Sequence, residues 1–310
     1  MKHNVIIIGL GNIGLMYDLK IPNEKIYKTH SKSLFYSKKY NLIGAVEKNK
    51  ISKKKFISKY KLPVFDNLSF PLNFYKPDFV IIAVPTKNHL KIYNEIIKYI
   101  SVKYILFEKP VGNNIDECRE IIKKSNKKNI KVYVNYIRNY QIKIIDFFYS
   151  NKFFKITNKN LVTIYYTGSI LNNCSHFFAL LIRLYNFKNI KNFKLLKFLN
   201  DKPKNFYFEI KKSKFFFINV SRIDKRINTI NISSQNIVIN FNSSNELITV
   251  YNKITKNINK IKTGMDKYQL NVYKEIAFDI NNKSKYVCKD SIAYETHKII
   301  AKINNASKEI

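Results

Sequence analysis

Apolar residues fall along this chain in two different rhythms. In the first half they come as short runs, all-apolar at residues 5–8, with further strands expected at 41–46, 79–83, 102–107 and 131–134. Unbroken runs of this length are what a strand covered on both faces requires. Between them stand segments with helical spacing, at 13–19, 31–39, 50–60, 89–99 and 115–124. Asn113 or Asn114 is placed to cap the last of these, with Asp116 and Glu117 in its first turn against the positive end of the helix. Alternating strands and helices predict a parallel sheet with right-handed crossovers.

The second half alternates apolar and polar positions instead. A helix at 142–149 is followed by a strand at 161–166 and a helix at 175–185. Strand patterns then recur at 193–198, 205–211, 215–220, 227–233, 236–241 and 246–251, with Asn- and Ser-rich turns at 233–236 and 242–245. Two helices, 268–280 and 292–303, close the chain. The fold class expected is therefore α/β + α+β: an N-terminal parallel-sheet domain over residues 1–137, then a second domain over 138–310 built on an open, mostly antiparallel sheet. A sheet face bearing Phe215, Phe217, Ile230 or Ile232 would need a cover, from this chain's own helices or from another copy.

The length of 310 residues suits two domains with real cores. Fifty-six basic against 21 acidic residues leave a formal charge of +35. Such an excess invites a nucleic-acid or membrane-surface reading. Only five of the basic residues are Arg, at 119, 138, 183, 222 and 226, and the lysines form no stripe or tail. A surface that reads phosphates or bases favours bidentate Arg, so no specific nucleic-acid partner is expected. Abundant Lys, Asn, Ile, Tyr and Phe share A/T-rich codons, which makes genome-wide drift the plainer source of the charge. Cys118, Cys174 and Cys288 form neither a CxxC nor a zinc pattern, and no stretch reaches 18 apolar residues. A cytoplasmic protein without membrane insertion and without a metal is expected.

The sharpest chemical signal opens the chain. Gly9-Leu10-Gly11-Asn12-Ile13-Gly14 follows the first strand and begins a helix, the setting in which a GxGxxG turn holds a pyrophosphate. A Rossmann-type site is expected there, with Gly9, Gly11, Asn12, Ile13 and Gly14 around the dinucleotide. Glu47 ends the next strand, where a carboxylate would bind the adenosine ribose and repel a 2′-phosphate. Lys48 and Lys50 flank it and would favour that phosphate; on balance NAD is expected rather than NADP. Glu47 lies later than the usual spacing of about 20 residues, an excess that an insertion broken by Pro22 accounts for. Ala83, Val84, Pro85 and Thr86 end another strand, and His89 begins the helix after it. Plain loop and capping duties compete with cofactor contact for Thr86 and His89. Glu108-Lys109-Pro110 ends a fourth strand in the same topological position.

Taken together, these stations resemble the glucose–fructose oxidoreductase/inositol dehydrogenase (Gfo/Idh/MocA) family of NAD(P)-dependent oxidoreductases. The resemblance runs through Gly9–Gly14, His30-Ser31-Lys32-Ser33, residues 83–89, Glu108-Lys109-Pro110, Asn135-Tyr136-Ile137-Arg138 and residues 168–181. It implies that Lys109 reaches the substrate and nicotinamide region, with Glu108 beside it, and that the Lys109–Pro110 bond is cis. It also implies that Asn135 and Arg138 frame a substrate cleft, although Gln141 stands where a proline is common. The family's second-domain motif, Asp-x-Gly-x-His-x-x-Asp, appears here as Asn172-Asn173-Cys174-Ser175-His176-Phe177-Phe178-Ala179. The histidine is kept and both carboxylates are gone.

His176 lies in an apolar helix, where desolvation would keep it neutral and suited to a general base; a buried, hydrogen-bonded structural histidine is the competing reading. The implied chemistry is hydride transfer between nicotinamide C4 and a hydroxyl or keto carbon. His176 would move the proton, Lys109 would hold the substrate oxygen and Asn172 would orient one or the other. Tyr166 and Asn173 are further candidates for substrate contact. The substrates implied are sugars, polyols or nucleotide-linked sugars, with surface-polysaccharide synthesis as one setting and a homodimer or homotetramer as the assembly. The alternative is a catalytically weak dinucleotide-binding sensor or scaffold derived from such an enzyme.

Overall fold

The computed structural model describes residues 2–21, 25–150, 159–185, 190–196, 205–223, 227–242 and 247–306. The chain divides into two compact units, Met1–Tyr140 with Asp266–Tyr294, and Gln141–Met265 with Glu295–Ile310. The segment Asp266–Tyr294 thus belongs with the first unit, whereas a boundary at residue 137 would assign it to the second.

The first unit is built on six strands: β1 (His3–Ile8), β2 (Tyr40–Val46), β3 (Val64–Phe65), β4 (Phe79–Ile82), β5 (Tyr104–Phe107) and β6 (Lys131–Val134). All pairings are parallel and the order is β3-β2-β1-β4-β5-β6. This is the Rossmann order, and the direction of winding reverses between β1 and β4. A crevice opens at such a switch point, outside the carboxyl ends of the strands. Val5–Ile7 and all of β4 are fully buried, as runs without polar positions demand.

The helices of this unit are α1 (Tyr17–Leu19), α2 (His30–Phe35), α3 (Lys50–Tyr60), α4 (Ser69–Phe74), α5 (His89–Ile96) and α6 (Ile115–Lys127). Asn114 caps α6, its Oδ1 accepting from the amides of Asp116 and Glu117, and Asn49 caps α3 in the same way. The helix expected at 13–19 begins as one wide turn over Asn12–Met16 before α1. The helix expected at 31–39 stops at Phe35. Neither the two-residue β3 nor the six-residue α4, which contains Pro71, carries enough pattern to be anticipated. The Pro22 break lies outside the described residues.

The second unit contains α7 (Ile142–Ser150), β7 (Leu161–Tyr166), α8 (Ser175–Tyr185), β8 (Lys191–Leu196), β9 (Asn205–Ile210), β10 (Ser213–Asn219), β11 (Thr229–Ser233), β12 (Ile237–Asn242), β13 (Leu247–Asn252) and β14 (Ile258–Lys262). Its sheet runs β14-β13-β12-β11-β7-β10-β9-β8, antiparallel except where β10 lies parallel to β7. The end of the strand expected at 193–198 and most of the turn expected at 242–245 fall outside the described residues. Phe215, Phe217, Ile230 and Ile232 are all buried. The Phe178 ring of α8 lies 5.0 Å from Phe217 and Tyr185 lies 5.2 Å from Phe215, so the chain's own helix covers this face. Lys214, Phe216 and Ile218 alternate onto the opposite, more open face.

Two long helices complete the chain: α9 (Tyr268–Asn282) and α10 (Asp290–Ala306), with α9 wholly in the first unit. The Tyr27 amide donates to Asp266 O and the Tyr40 hydroxyl to Tyr273 O. Beside β6, Val134 N donates to Cys288 O and Tyr133 forms an antiparallel bridge with Lys289, which covers the edge of the parallel sheet. Among the described residues no helix is long and apolar enough to cross a membrane.

Candidate active site

The glycine turn separates the three glycines by what surrounds them. Gly9 adopts φ +101°, and a Cβ there would sit 2.6 Å from Ala83 O. A Cβ on Gly14 would lie 2.3 Å from Gly9 O, which is how closely the following turn packs on the strand. At Gly11 a Cβ would meet nothing within 4 Å. The turn is thus packed behind Gly9 and Gly14 and open in front of Gly11, with Gly11 and Asn12 exposed and Ile13 half-buried. An open face at the middle glycine is what a pyrophosphate needs in order to approach backbone amides. The residues present fit a dinucleotide.

Glu47 is tied to this turn. Its Oε2 accepts from Leu10 N at 2.7 Å, and its Oε1 accepts from Lys48 N and Asn49 N at 2.7 and 2.8 Å. The carboxylate joins the end of β2 to the glycine loop and fixes a negative charge there. Sequence spacing points to the position but not to these amide partners. Asp18, which the sequence reading did not single out, accepts from the backbone amides of Lys28 and Thr29 and from Thr29 Oγ1. Ser31 Oγ donates to Gly14 O at 2.6 Å, so the start of α2 is held against the glycine turn.

At the end of β4, Ala83 N donates to Ile8 O, and Ala83 and Val84 lie directly against Gly9, with Pro85 and Thr86 following. Pro85 is exposed and Thr86 begins a short 3-10 turn. His89 is fully buried: Nε2 lies 2.9 Å from Val84 O and Nδ1 3.1 Å from Val111 O. Burial lowers its pKa, against the raising effect of those carbonyls and of Glu108. Both ring nitrogens face backbone, so His89 ties two strand-end loops together rather than presenting a group to a ligand.

Lys109 follows β5, half-exposed, with the peptide bond to Pro110 cis. Burial pushes its ammonium below the usual lysine value; Glu108 opposes this and Arg138 adds to it. Arg138 is itself buried, and burial pushes it down to about 10. Burial alone would raise the Glu108 carboxyl. Hydrogen bonds from His30 and Asn135, with the nearby Lys109 charge, outweigh that and hold it below the usual range. Asn135 is 1% exposed and donates to both Glu108 and Gln269, so it supports Glu108 from beneath. Gln269 and Tyr273, which reach this cluster from α9, carry no sequence signal at more than 130 residues' separation.

In the second unit, Ser169 caps a wide turn over Ile170–Cys174 that leads into α8. Asn172 is exposed on this turn, and His176 is buried at the second position of α8. Ala179, where the family motif carries a carboxylate, is fully buried. Asn173 packs on Gly168, which has φ +71°; a Cβ there would lie 2.7 Å from Asn173 Nδ2. Tyr166 is fully buried because it shares the inward face of β7 with Val162 and Ile164. It therefore serves the core, and the expected substrate contact through Tyr166 is not available from that position. Among the described residues no group of three His, Cys, Asp or Glu side chains could hold a metal ion.

A glycine turn after the first strand of a sheet of this order marks a dinucleotide-binding Rossmann unit; the class is NAD(P)-dependent oxidoreductase. Residues 3–136 match the family described as "Oxidoreductase family, NAD-binding Rossmann fold", GFO_IDH_MocA. The match covers the part of the chain that carries the glycine turn and the parallel sheet.

Among solved structures it is similar to a dehydrogenase (MviM) from Clostridium difficile, with TM-score 0.79 and 16% identity over 99% of this chain and 100% of that one. It is similar to UDP-N-acetylglucosamine 3-dehydrogenase GnnA from Acidithiobacillus ferrooxidans, with TM-score 0.79 and 11% identity over 99% and 98%. It also resembles an aldose-aldose oxidoreductase from Caulobacter crescentus, with TM-score 0.79 and 13% identity over 100% and 98%. At such identities the likeness shows the fold. No curated protein sequence matches the chain significantly.

Proposed function

We propose that the protein transfers a hydride between nicotinamide C4 and a hydroxyl or keto carbon of a sugar, polyol or nucleotide-linked sugar, using NAD in preference to NADP. The observation that carries this reading is Lys109: a half-exposed ammonium at the end of β5, beside a carboxylate held in its ionised form. The bound dinucleotide supplies or takes up the hydride. Lys109 donates a hydrogen bond to the substrate oxygen and stabilises negative charge that develops on it. His176 takes the hydroxyl proton in oxidation and returns it in reduction, the role the family motif gives it. Asn172, on the turn before α8, orients the substrate or the imidazole without supplying charge.

The preference for NAD rests on Glu47. A carboxylate pinned by three backbone amides cannot turn away, and it disfavours a 2′-phosphate nearby. A sugar-type substrate is in keeping with what two of the similar structures are named for, a UDP-N-acetylglucosamine dehydrogenase and an aldose-aldose oxidoreductase. Assembly into a homodimer or homotetramer, a cytoplasmic location and a part in polysaccharide synthesis belong to the same reading.

The test is a panel of nucleotide-linked keto sugars with NADH, followed by loss of NADH absorbance. Turnover is expected, and Lys109→Met should lower it at least about 100-fold while NADH affinity stays within a few-fold of wild type. Tight NADH binding without turnover across the panel would favour the sensor reading, for which the missing carboxylates at Asn172 and Ala179 are the sequence argument. Unchanged turnover in Lys109→Met would remove the lysine from the mechanism.

A further inference from the structure

A carboxylate can only accept hydrogen bonds, and this orients each group around Glu108 in turn. Asn135 must present Nδ2 to it, and the same Nδ2 donates to Gln269 Oε1 at 3.0 Å. With its oxygen so engaged, Gln269 presents Nε2 to His30 Nδ1, 3.0 Å away. His30 Nδ1 is then an acceptor, so the Tyr273 hydroxyl, 2.6 Å from it, is a second donor. The imidazole proton lies on Nε2, which donates back to Glu108 Oε1 at 2.9 Å. Asn135, Gln269 and His30 close a ring on the carboxylate with Tyr273 bonded to His30 from outside it, and only one set of orientations satisfies all of them. The ring is dry: His30 and Gln269 are fully buried, and the Glu108 side chain is 12% exposed.

We infer that Gln269 and Tyr273, both on α9, are positioning residues for Lys109: by fixing the tautomer of His30 they hold Glu108 as a stationary anion beside the lysine ammonium. The inference rests on the role proposed for Lys109 and adds to it a control exerted from a helix that touches neither substrate nor dinucleotide in that proposal. The charged groups acting on Lys109 are Glu108, which favours its ammonium form, and Arg138, which disfavours it. Acting on Glu108 are the Lys109 ammonium and the hydrogen bonds from His30 and Asn135. If the His30 ring turned its unprotonated nitrogen toward Glu108, two acceptors would face each other in a dry site. Glu108 would then take up a proton, and Lys109 would lose its counter-charge.

The experiment is competitive acetylation of the full-length protein with acetic anhydride across a pH series, read at Lys109 by mass spectrometry. Labelling follows the unprotonated amine and needs no turnover. Glu108→Gln is expected to lower the Lys109 midpoint by about one pH unit, seen as roughly tenfold faster labelling at a fixed pH below it. Gln269→Leu should shift it in the same direction. The double variant should shift no further than Glu108→Gln alone, because both changes remove the same anion. Tyr273→Phe deletes one hydroxyl and keeps the packing; it should give a smaller shift of the same sign, and it decides the matter if Gln269→Leu does not fold.

An unmoved midpoint in folded Gln269→Leu or Tyr273→Phe would overturn the inference. Fully additive shifts in the double variant, or no shift in Glu108→Gln, would overturn it as well. If instead Lys109→Met leaves turnover intact while these midpoints move as expected, the ring stands and the proposed reaction falls.

Discussion

Gly11→Ala separates what the glycine turn does for the fold from what it does for a ligand. The added methyl meets no protein atom within 4 Å, and the backbone at Gly11 has φ −70° and ψ −157°, which alanine adopts without strain. Its effect on stability should stay within about 0.5 kcal/mol, and a gain of that order is natural because alanine has less freedom in the unfolded chain. The space the methyl fills is where a pyrophosphate would come up against the loop amides. A hydrogen bond to a charged group contributes about 1.5–3 kcal/mol, so losing one of them should weaken NADH binding by roughly 10- to 150-fold.

Gly14→Ala is the counterpart. Its methyl would lie 2.3 Å from Gly9 O, so the turn itself must shift, at a cost of about 3 kcal/mol. Urea denaturation and NADH fluorescence titration on the two variants give the comparison. A Gly11→Ala protein that binds NADH with wild-type affinity would refute the assignment of this turn to a phosphate.

Asn172→Asp puts a carboxylate one helical turn before His176, where it favours the imidazolium formed on proton uptake. Turnover should rise by about tenfold, and a fall would show a site tuned around the amide. Asp279 is fully buried and accepts from Tyr133 at 2.9 Å and Lys131 at 2.6 Å, with Lys289 at 3.6 Å. Burial would raise its carboxyl, but the contacts from Lys131 and Tyr133 outweigh it and the net shift is downward. The stability this confers is present above the unfolded value of about 3.9 and disappears as pH falls through the lower folded value. Asp279→Asn should therefore cost about 3 kcal/mol at neutral pH and flatten the acid limb of stability against pH, measured by urea denaturation from pH 7 downward. An unchanged limb would show that the pair is not stabilising.

The central strands of the first unit were legible because burial on both faces leaves no polar position, and composition alone then marks β1 and β4. The glycine turn was legible because its packing is local: Gly9 and Gly14 meet each other and the adjoining strand end. Strand β10 shows the opposite case. Phe215 and Phe217 could be named as a face in need of cover, but nothing in the strand's pattern says what covers it, and Phe178 and Tyr185 of α8 supply that answer. Glu47 could be placed at a strand end from spacing, but not bonded to Leu10 N, since an amide partner has no side-chain signature. Tyr166 had the right neighbours in sequence and the wrong parity on its strand.

The return of the chain to the first unit changes how its chemistry should be understood. Residues up to Tyr140 contain the glycine turn, Glu47, Glu108 and Lys109, yet three features of that unit are completed only by Asp266–Tyr294. The edge of β6 is covered by Cys288 and Lys289, the Lys131 charge is matched by Asp279, and His30 is oriented by Gln269 and Tyr273. A sheet edge, a buried ion pair and a buried imidazole all carry a cost when left alone. One returning segment removes all three, which accounts for its place in the first unit despite following the whole second sheet in sequence. The same economy links the fold to the proposed reaction: α9, which meets the Lys131 charge of β6 through Asp279, also sets the proton on His30 that faces Glu108.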